Sequence, residues 1–214
     1  KFKFIKKYIQ FSTPEVYGNV KNKIYENENY KPSTPYALSR VTADQYLNIM
    51  QKFRNLDFVS VRAANVYGEC QKLYRIIPKA IHSCLTDNKI YLHGGGKSTR
   101  SFIHIDDVSN ATYIAMKKGK SGNIFHISTE EMITIKKLVQ IICKKLDKDY
   151  KSIVKVTGDR IGKDSSYNLN SKKIKNYKWK PKISLDQGLN RVIHWVKINI
   201  NNFKKYELKY NHKK

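Results

Sequence analysis

From Pro35 to about Arg54 the apolar residues Ala37, Val41, Ala43, Tyr46, Leu47 and Met50 recur at helical spacing. A short strand-like run lies on either side, "YIQFS" at 8–12 and "DFVSVRAANVYG" at 57–68. A strand, a helix and a strand in close succession fold as a crossover unit with parallel strands, which puts the chain in the α/β class. The alternation continues downstream. A helix is predicted over 76–87, and "KIYLHGGG" and "RSFIHI" read as strands flanking a glycine turn. "DDVSNATYIAMKKG" has a capping aspartate, a helical stripe and a terminal glycine. After the strand "NIFHIS", "TIKKLVQIICKKL" reads as an amphipathic helix, and a last helix spans about 184–198. A chain of 214 residues has room for a sizeable core.

Lysine and arginine outnumber aspartate and glutamate 42 to 17, a net charge of +25. Clustered basic residues would point to a polyanion partner. Here 35 lysines are scattered along the chain against 7 arginines, whereas phosphate recognition favours the bidentate arginine fork. The excess reads as a lysine-rich coding bias with unspecific polyanion attraction, and no specific nucleic-acid partner is expected. No apolar run approaches the about 18 residues of a membrane span, and "KFKFIKKYIQF" lacks the cleavage site of a signal peptide. Cys70, Cys84 and Cys143 stand far apart without CxxC spacing, and the six histidines form no HxxxH or HExxH group. Reduced thiols in a cytoplasmic protein, with no metal site and no membrane, are the expectation.

Four stretches, "FSTPEVYGN" (11–19), "STPYALSR" (33–40), "VRAANVYG" (61–68) and "GGGKSTRSFIHIDDV" (94–108), resemble in order and spacing the extended short-chain dehydrogenase/reductase family acting on nucleotide sugars. "GDRIGKDSSYNLNSKKI" (158–174) and "YKWKPKISLDQGL" (177–189) extend the likeness over nearly the whole chain. The pattern is nearest to 4,6-dehydratases of the dTDP-glucose type. It implies the C-terminal part of a doubly wound Rossmann-type parallel sheet over 1–70 and a smaller α/β substrate-binding region, interleaved with it, over 71–200. Residues 201–214 read as a basic tail. The resemblance also implies NAD as cofactor, a nucleotide-sugar substrate and a homodimer. Such enzymes open with βα units whose GxxGxxG loop holds the NAD pyrophosphate. No such loop occurs in these 214 residues, and "GGGK" at 94–97, between two strands, reads as a turn. The expectation is a C-terminal fragment lacking about 100 residues, at about 30 per strand–helix unit. That part would be lost, trimmed or supplied by a separate chain.

By position, the resemblance makes Tyr36 the base for the sugar 4-hydroxyl proton and Arg40 the cation one helical turn on, both also touching the nicotinamide nucleotide. At ~5 Å and an effective dielectric near 20, a cation favours a phenolate by about 3 kcal/mol. Arginine in place of the family's lysine keeps that charge and changes its shape. Thr13 would hydrogen-bond the 4-oxygen, and Glu15 would remove the C5 proton. Pro14 stands where dTDP-glucose enzymes carry the acid for the departing 6-hydroxyl, and proline has no proton to give. Ala63 falls where the chain passes the nicotinamide. Asn65, Arg100 and Arg160 match diphosphate contacts, a task suited to the arginine fork. His93 falls where relatives place an aromatic against the base, His126 replaces the usual asparagine, and Lys163 stands near a usual histidine. The implied reaction is a lyase sequence: oxidation at C4, elimination across C5 and C6, and hydride return. The alternatives are a 4-epimerase or UDP-glucuronate decarboxylase on the same scaffold, and a non-catalytic remnant or interaction module.

Overall fold

The computed structural model describes residues 4–20, 22–27, 29–158 and 168–205. In chain order its strands are β1 (Tyr8–Phe11), β2 (Phe58–Ala63), β3 (Asn65–Tyr67), β4 (Ile90–His93), β5 (Thr99–His104), β6 (Asn123–Ile127), β7 (Met132–Thr134) and β8 (Val154–Thr157). Its helices are α1 (Pro35–Arg54), α2 (Ile76–Leu85), α3 (Ile105–Lys118), α4 (Ile135–Lys145), α5 (Tyr150–Ile153), α6 (Lys172–Lys175) and α7 (Leu185–Asn199). The chain divides into two compact units: Lys1–Val66 with Thr99–Met132 and Gly162–Lys182, and Tyr67–Ser98 with Ile133–Ile161 and Ile183–Lys214. Residues 99–132 and 168–182 group with the first unit, so the two units alternate along the chain. β6 is the reason, since it completes the first sheet.

That sheet has the order β1-β2-β6 with every pairing parallel. Ile9 stands opposite Val59, and Val61 opposite Phe125. β2 is buried along its length up to Ala63, as a parallel strand covered on both faces must be. Val59, Val61, Ile103, Val108, Ala111, Phe125, Ile127 and Trp179 make one core cluster. α1 forms where its periodicity places it. Thr34 Oγ1 accepts from the Ala37 amide at 3.1 Å, Pro35 opens the helix, and Asn55 ends it in a left-handed conformation. Its buried stripe is Ala37, Val41, Asp44 and Leu47, so an aspartate takes a core position while Tyr46 faces out. The run "DFVSVRAANVYG" breaks into two strands at Ala64, whose amide donates to the Ile127 carbonyl at 2.9 Å.

α3 is capped differently from the aspartate reading. His104 Nδ1 accepts from the Asp106 amide, whereas Asp107 is buried and accepts from the Lys182 amide at 2.9 Å. In the second unit β4 pairs in parallel with β8, Ile90 opposite Val154 and His93 opposite Thr157. The two strands flanking the glycine turn thus do not form a hairpin. α2 packs on α4 and on α7. Ser184 and Gln187 form a reciprocal capping box at the start of α7.

Gly188, in the first turn of α7, gives buried Tyr67 its place: a Cβ there would sit 2.1 Å from Tyr67 Oη and 2.8 Å from Cζ. Gly188→Ala should therefore cost about 1–3 kcal/mol through overpacking, despite alanine's better helix propensity. Urea unfolding of the variant checks this, and an unchanged or raised midpoint refutes it.

Candidate active site

In open α/β sheets ligands bind beyond the carboxyl ends of the strands. β1 ends at Phe11, and the chain runs through Ser12 and Thr13 into a 3₁₀ turn, Pro14–Tyr17. Thr13 caps that turn. It is 7% exposed, and its Oγ1 accepts from the Glu15 amide at 3.3 Å. Pro14 is buried and Glu15 half-buried. Gly18 closes the turn with φ 66°, where a Cβ would lie 2.1 Å from the Lys31 carbonyl oxygen. The Lys31 amide meanwhile donates to Val16 O at 2.9 Å. The "VYG" glycine thus lets the following loop lie against the turn.

Tyr36 is in the first turn of α1 and 56% exposed, and Arg40 is half-buried. The Arg40 guanidinium donates through Nη2 to the Phe11 carbonyl, which brings it to the end of β1. One turn further, the buried Asp44 carboxylate accepts through Oδ2 from Ser12 Oγ at 2.6 Å and from Arg62 Nη2 at 2.9 Å. Tyr36, Arg40 and Asp44 are spaced by four and share one face of the helix. The structure therefore ties Thr13, Glu15 and Arg40 to one strand end, with Tyr36 on the helix face that the tie holds.

Arg62, Asp44 and Tyr17 are the residues sequence reasoning missed. Arg62 is 0% exposed. Its Nη1 donates to Tyr17 Oη and to Asn27 O, and its Nη2 also reaches Tyr30 Oη at 3.0 Å. The available signal was a charged residue in each of two core registers: arginine inside "FVSVRA" and aspartate on the helix stripe.

The predicted substrate contacts are placed unevenly. Ala63 and Asn65 are half-buried, at the end of β2 and in β3. Arg100 is half-buried in β5, its Nη1 donating to Thr99 O at 2.7 Å. His93 belongs to the second unit, where its Nδ1 lies 3.0 Å from Thr157 Oγ1. Arg160 and Lys163 lie outside the described residues. His126 takes a core position rather than a substrate-facing one. It is 0% exposed on the central sheet, its Nε2 2.7 Å from Tyr17 Oη, and its amide donates to Glu26 Oε1. Burial, and then the Arg62 charge, push its pKa down to about 3, with the backbone oxygens of Ile24 and Asn170 pulling the other way. Burial also raises the Glu26 carboxyl and the Tyr17 phenol, the latter against the opposing pull of Arg62. Among the described residues no three His, Cys, Asp or Glu gather as a metal site, and no helix is long and apolar enough to cross a membrane.

A parallel β1-β2-β6 sheet packed against helices is the arrangement of a Rossmann-type α/β protein. Residues 3–128 match the NAD dependent epimerase/dehydratase family, and the chain belongs to that family. It is 33% identical over 209 residues to the dTDP-D-glucose 4,6-dehydratase of Homo sapiens, covering 95% of this chain and 60% of that one. The Dictyostelium discoideum dTDP-D-glucose 4,6-dehydratase is 31% identical, with 92% of this chain and 56% of that one covered. The chain thus spans 56–60% of the length of these two dehydratases. Among solved structures, a dTDP-glucose 4,6-dehydratase from Streptomyces venezuelae with NAD bound superposes with a TM-score of 0.88 at 29% identity, covering 96% of this chain and 64% of that one. A UDP-glucose 4-epimerase from Thermotoga maritima with UDP-glucose gives 0.85 at 28%, covering 92% and 65%.

The buried neutral His126 makes a pH prediction. Its folded pKa, about 3, lies below the ordinary 6.5, so the unfolded chain binds the extra proton. Its contribution is intact above pH 6.5 and is lost as pH falls from there toward 3, by up to about 1.4 kcal/mol per unit. Urea midpoints measured between pH 7.5 and 4.5 should fall less steeply for His126→Gln than for the parent chain. Equal slopes would contradict this account.

Proposed function

We propose that this chain carries the catalytic tyrosine and substrate-binding part of an NAD-dependent nucleotide-sugar 4,6-dehydratase. The observation supporting this reading is the double tie between α1, which carries Tyr36 and Arg40, and the end of β1, which leads into Thr13 and Glu15. NAD fits the donor set present. A phenol and a guanidinium stand four residues apart at the strand end, and Arg40 Nε, itself buried, has no hydrogen-bond partner among the described residues. Tyr36 and Arg40 would hold the nicotinamide ribose, with the small Ala63 beside the ring. The chemistry NAD would supply there is reversible hydride acceptance, from sugar C4 and back to C6.

The chain's own groups handle the protons. Tyr36 Oη takes the proton of the 4-hydroxyl. Thr13 Oγ1 already accepts from Glu15 N, which leaves its hydrogen free to donate to the sugar 4-oxygen. Glu15 removes the C5 proton, acidified by the C4 ketone. Pro14 gives no acid, so the carboxyl of Glu15 passes that proton to the departing 6-hydroxyl, which leaves as water. C5 is reprotonated through Glu15 as hydride returns to C6, and the proton Tyr36 took from the 4-hydroxyl closes the balance. Asn65, Arg100 and Arg160 are the proposed diphosphate contacts and His93 the base contact. Pro14 favours one second reading, a 4-epimerase in which Glu15 moves no proton. With the chain joined to a GxxGxxG-bearing dinucleotide-binding segment, the products of dTDP-glucose and UDP-glucose with NAD separate the two: loss of water marks the dehydratase, an epimer of unchanged mass the alternative.

In that assay Tyr36→Phe should lower turnover by about 10²–10⁴-fold. Arg40→Lys should keep most of it, because the Coulomb term depends on charge and distance. Turnover unchanged in Tyr36→Phe would sink the catalytic reading. A homodimer is the proposed assembly. Leu38, Tyr46, Ile49 and Phe53 are 53–77% exposed on α1, within an arc of about 80° at 100° per residue. Sedimentation should show Ile49→Glu with Phe53→Glu as a monomer beside a dimeric parent, and a monomeric parent would refute the assembly.

A further inference from the structure

The second unit buries two thiols that the reading above does not use. Cys84, near the end of α2, and Cys143, near the end of α4, are 0% and 1% exposed. Their Sγ atoms lie 3.7 Å apart, although 59 positions separate them in sequence. α2 and α4 pack directly on each other. Just beyond each cysteine the helix gives way to a turn with a left-handed aspartate, Asp87 (φ 54°) and Asp147 (φ 52°). The turns meet at the surface, where Lys148 Nζ pairs with Asp87 Oδ1 at 2.6 Å. The Lys148 amide donates to Cys143 O at 3.0 Å, and the Asn88 amide to Ser83 O at 3.1 Å. The thiols therefore lie one layer beneath two joined helix ends, and helix ends are the part of a packed unit that opens at least cost.

We propose that Cys84 and Cys143 form a latent disulfide site, closed by a small disulfide oxidant so that α2 is stapled to α4. The thiols lose two protons, one S–S bond forms, and the two electrons reduce the oxidant's disulfide to two thiols. The sulfurs must approach to about 2.05 Å, a movement that χ1 adjustments of two side chains supply. Burial keeps the pair quiet at rest. It pushes Cys84 up to about 12 and raises Cys143 as well, so the attacking thiolate is scarce until the covering turns open. An oxidised pair closes a long loop, the case in which a cross-link restricts the unfolded chain most.

The test uses the full chain with the exposed Cys70 removed (Cys70→Ser), incubated with oxidised glutathione at neutral pH without denaturant. After alkylation, peptide mapping should show a Cys84–Cys143 link that dithiothreitol dissolves and that retains no glutathione. The melting temperature should rise by roughly 5–10 °C, and Cys143→Ala in the same background should abolish both changes. Thiols that remain alkylatable on later unfolding, separate glutathione adducts on each cysteine, or a link that forms only in urea overturn the proposal. None of these results depends on the enzymatic reading.

Discussion

A guanidinium without solvent access lies in the first unit, and one carboxylate oxygen has to meet it there. Arg62 comes from β2, Asp44 from α1, and Ser12 from just beyond β1, and Arg62 and Ser12 both donate to Asp44 Oδ2. That oxygen fixes how α1 is rotated about its axis and how far it is slid along the sheet. Turn α1 by one residue and Asp44 swings away by about 100°, leaving a buried cation unpaired. Tyr36 and Arg40, eight and four residues earlier, inherit their placement from this one contact.

The pair is better read as a register device than as a source of stability. Two buried charges lose most of their Coulomb gain to desolvation, and here Asp44 Oδ1 and Arg62 Nε have no partner among the described residues. Removing one partner is another matter, worth about 3–5 kcal/mol because the other charge stays buried. Arg62 also lies 4.9 Å from the Tyr17 ring centroid and 5.2 Å from that of Tyr30, a cation–π arrangement. Tyr17 in turn contacts His126 on β6. The 3₁₀ turn with Thr13 and Glu15 is thus held from inside the core, which is what a preorganised site requires of its supporting residues.

The elements were legible because their periods are strong: α1 runs Pro35–Arg54, as its apolar spacing predicts, and "YIQFS" and "NIFHIS" are parallel strands. Motif order put Thr13 and Glu15 beyond the first strand and Tyr36 and Arg40 at the start of the helix, and that is where the elements lie. The rest depended on contacts between residues distant in sequence, which periodicity does not record. Ala43, Tyr46 and Asp44 are neighbours on the helix, and hydrophobicity alone ranks the aspartate as the outward one, yet Arg62 pulls it in. His126 resembled a polar substrate contact, but its strand is covered on both faces. The far-apart thiols Cys84 and Cys143 meet only because α2 packs on α4.

The arginine at position 40, where relatives by pattern carry lysine, gains a physical reason from the same geometry. A compact ammonium could supply charge, but the longer guanidinium also hands one N–H to the Phe11 carbonyl. Asp44, one turn on, holds Ser12, one residue on. Two successive turns of α1 therefore grip two successive residues at the end of β1, one through the backbone and one through a side chain. The Asp44 tie alone sets the register of α1, and the Arg40 tie adds a second contact at the same strand end. On this account the departure at position 40 couples the cation to the register of the helix, and the arginine is compatible with the chemistry proposed for Tyr36.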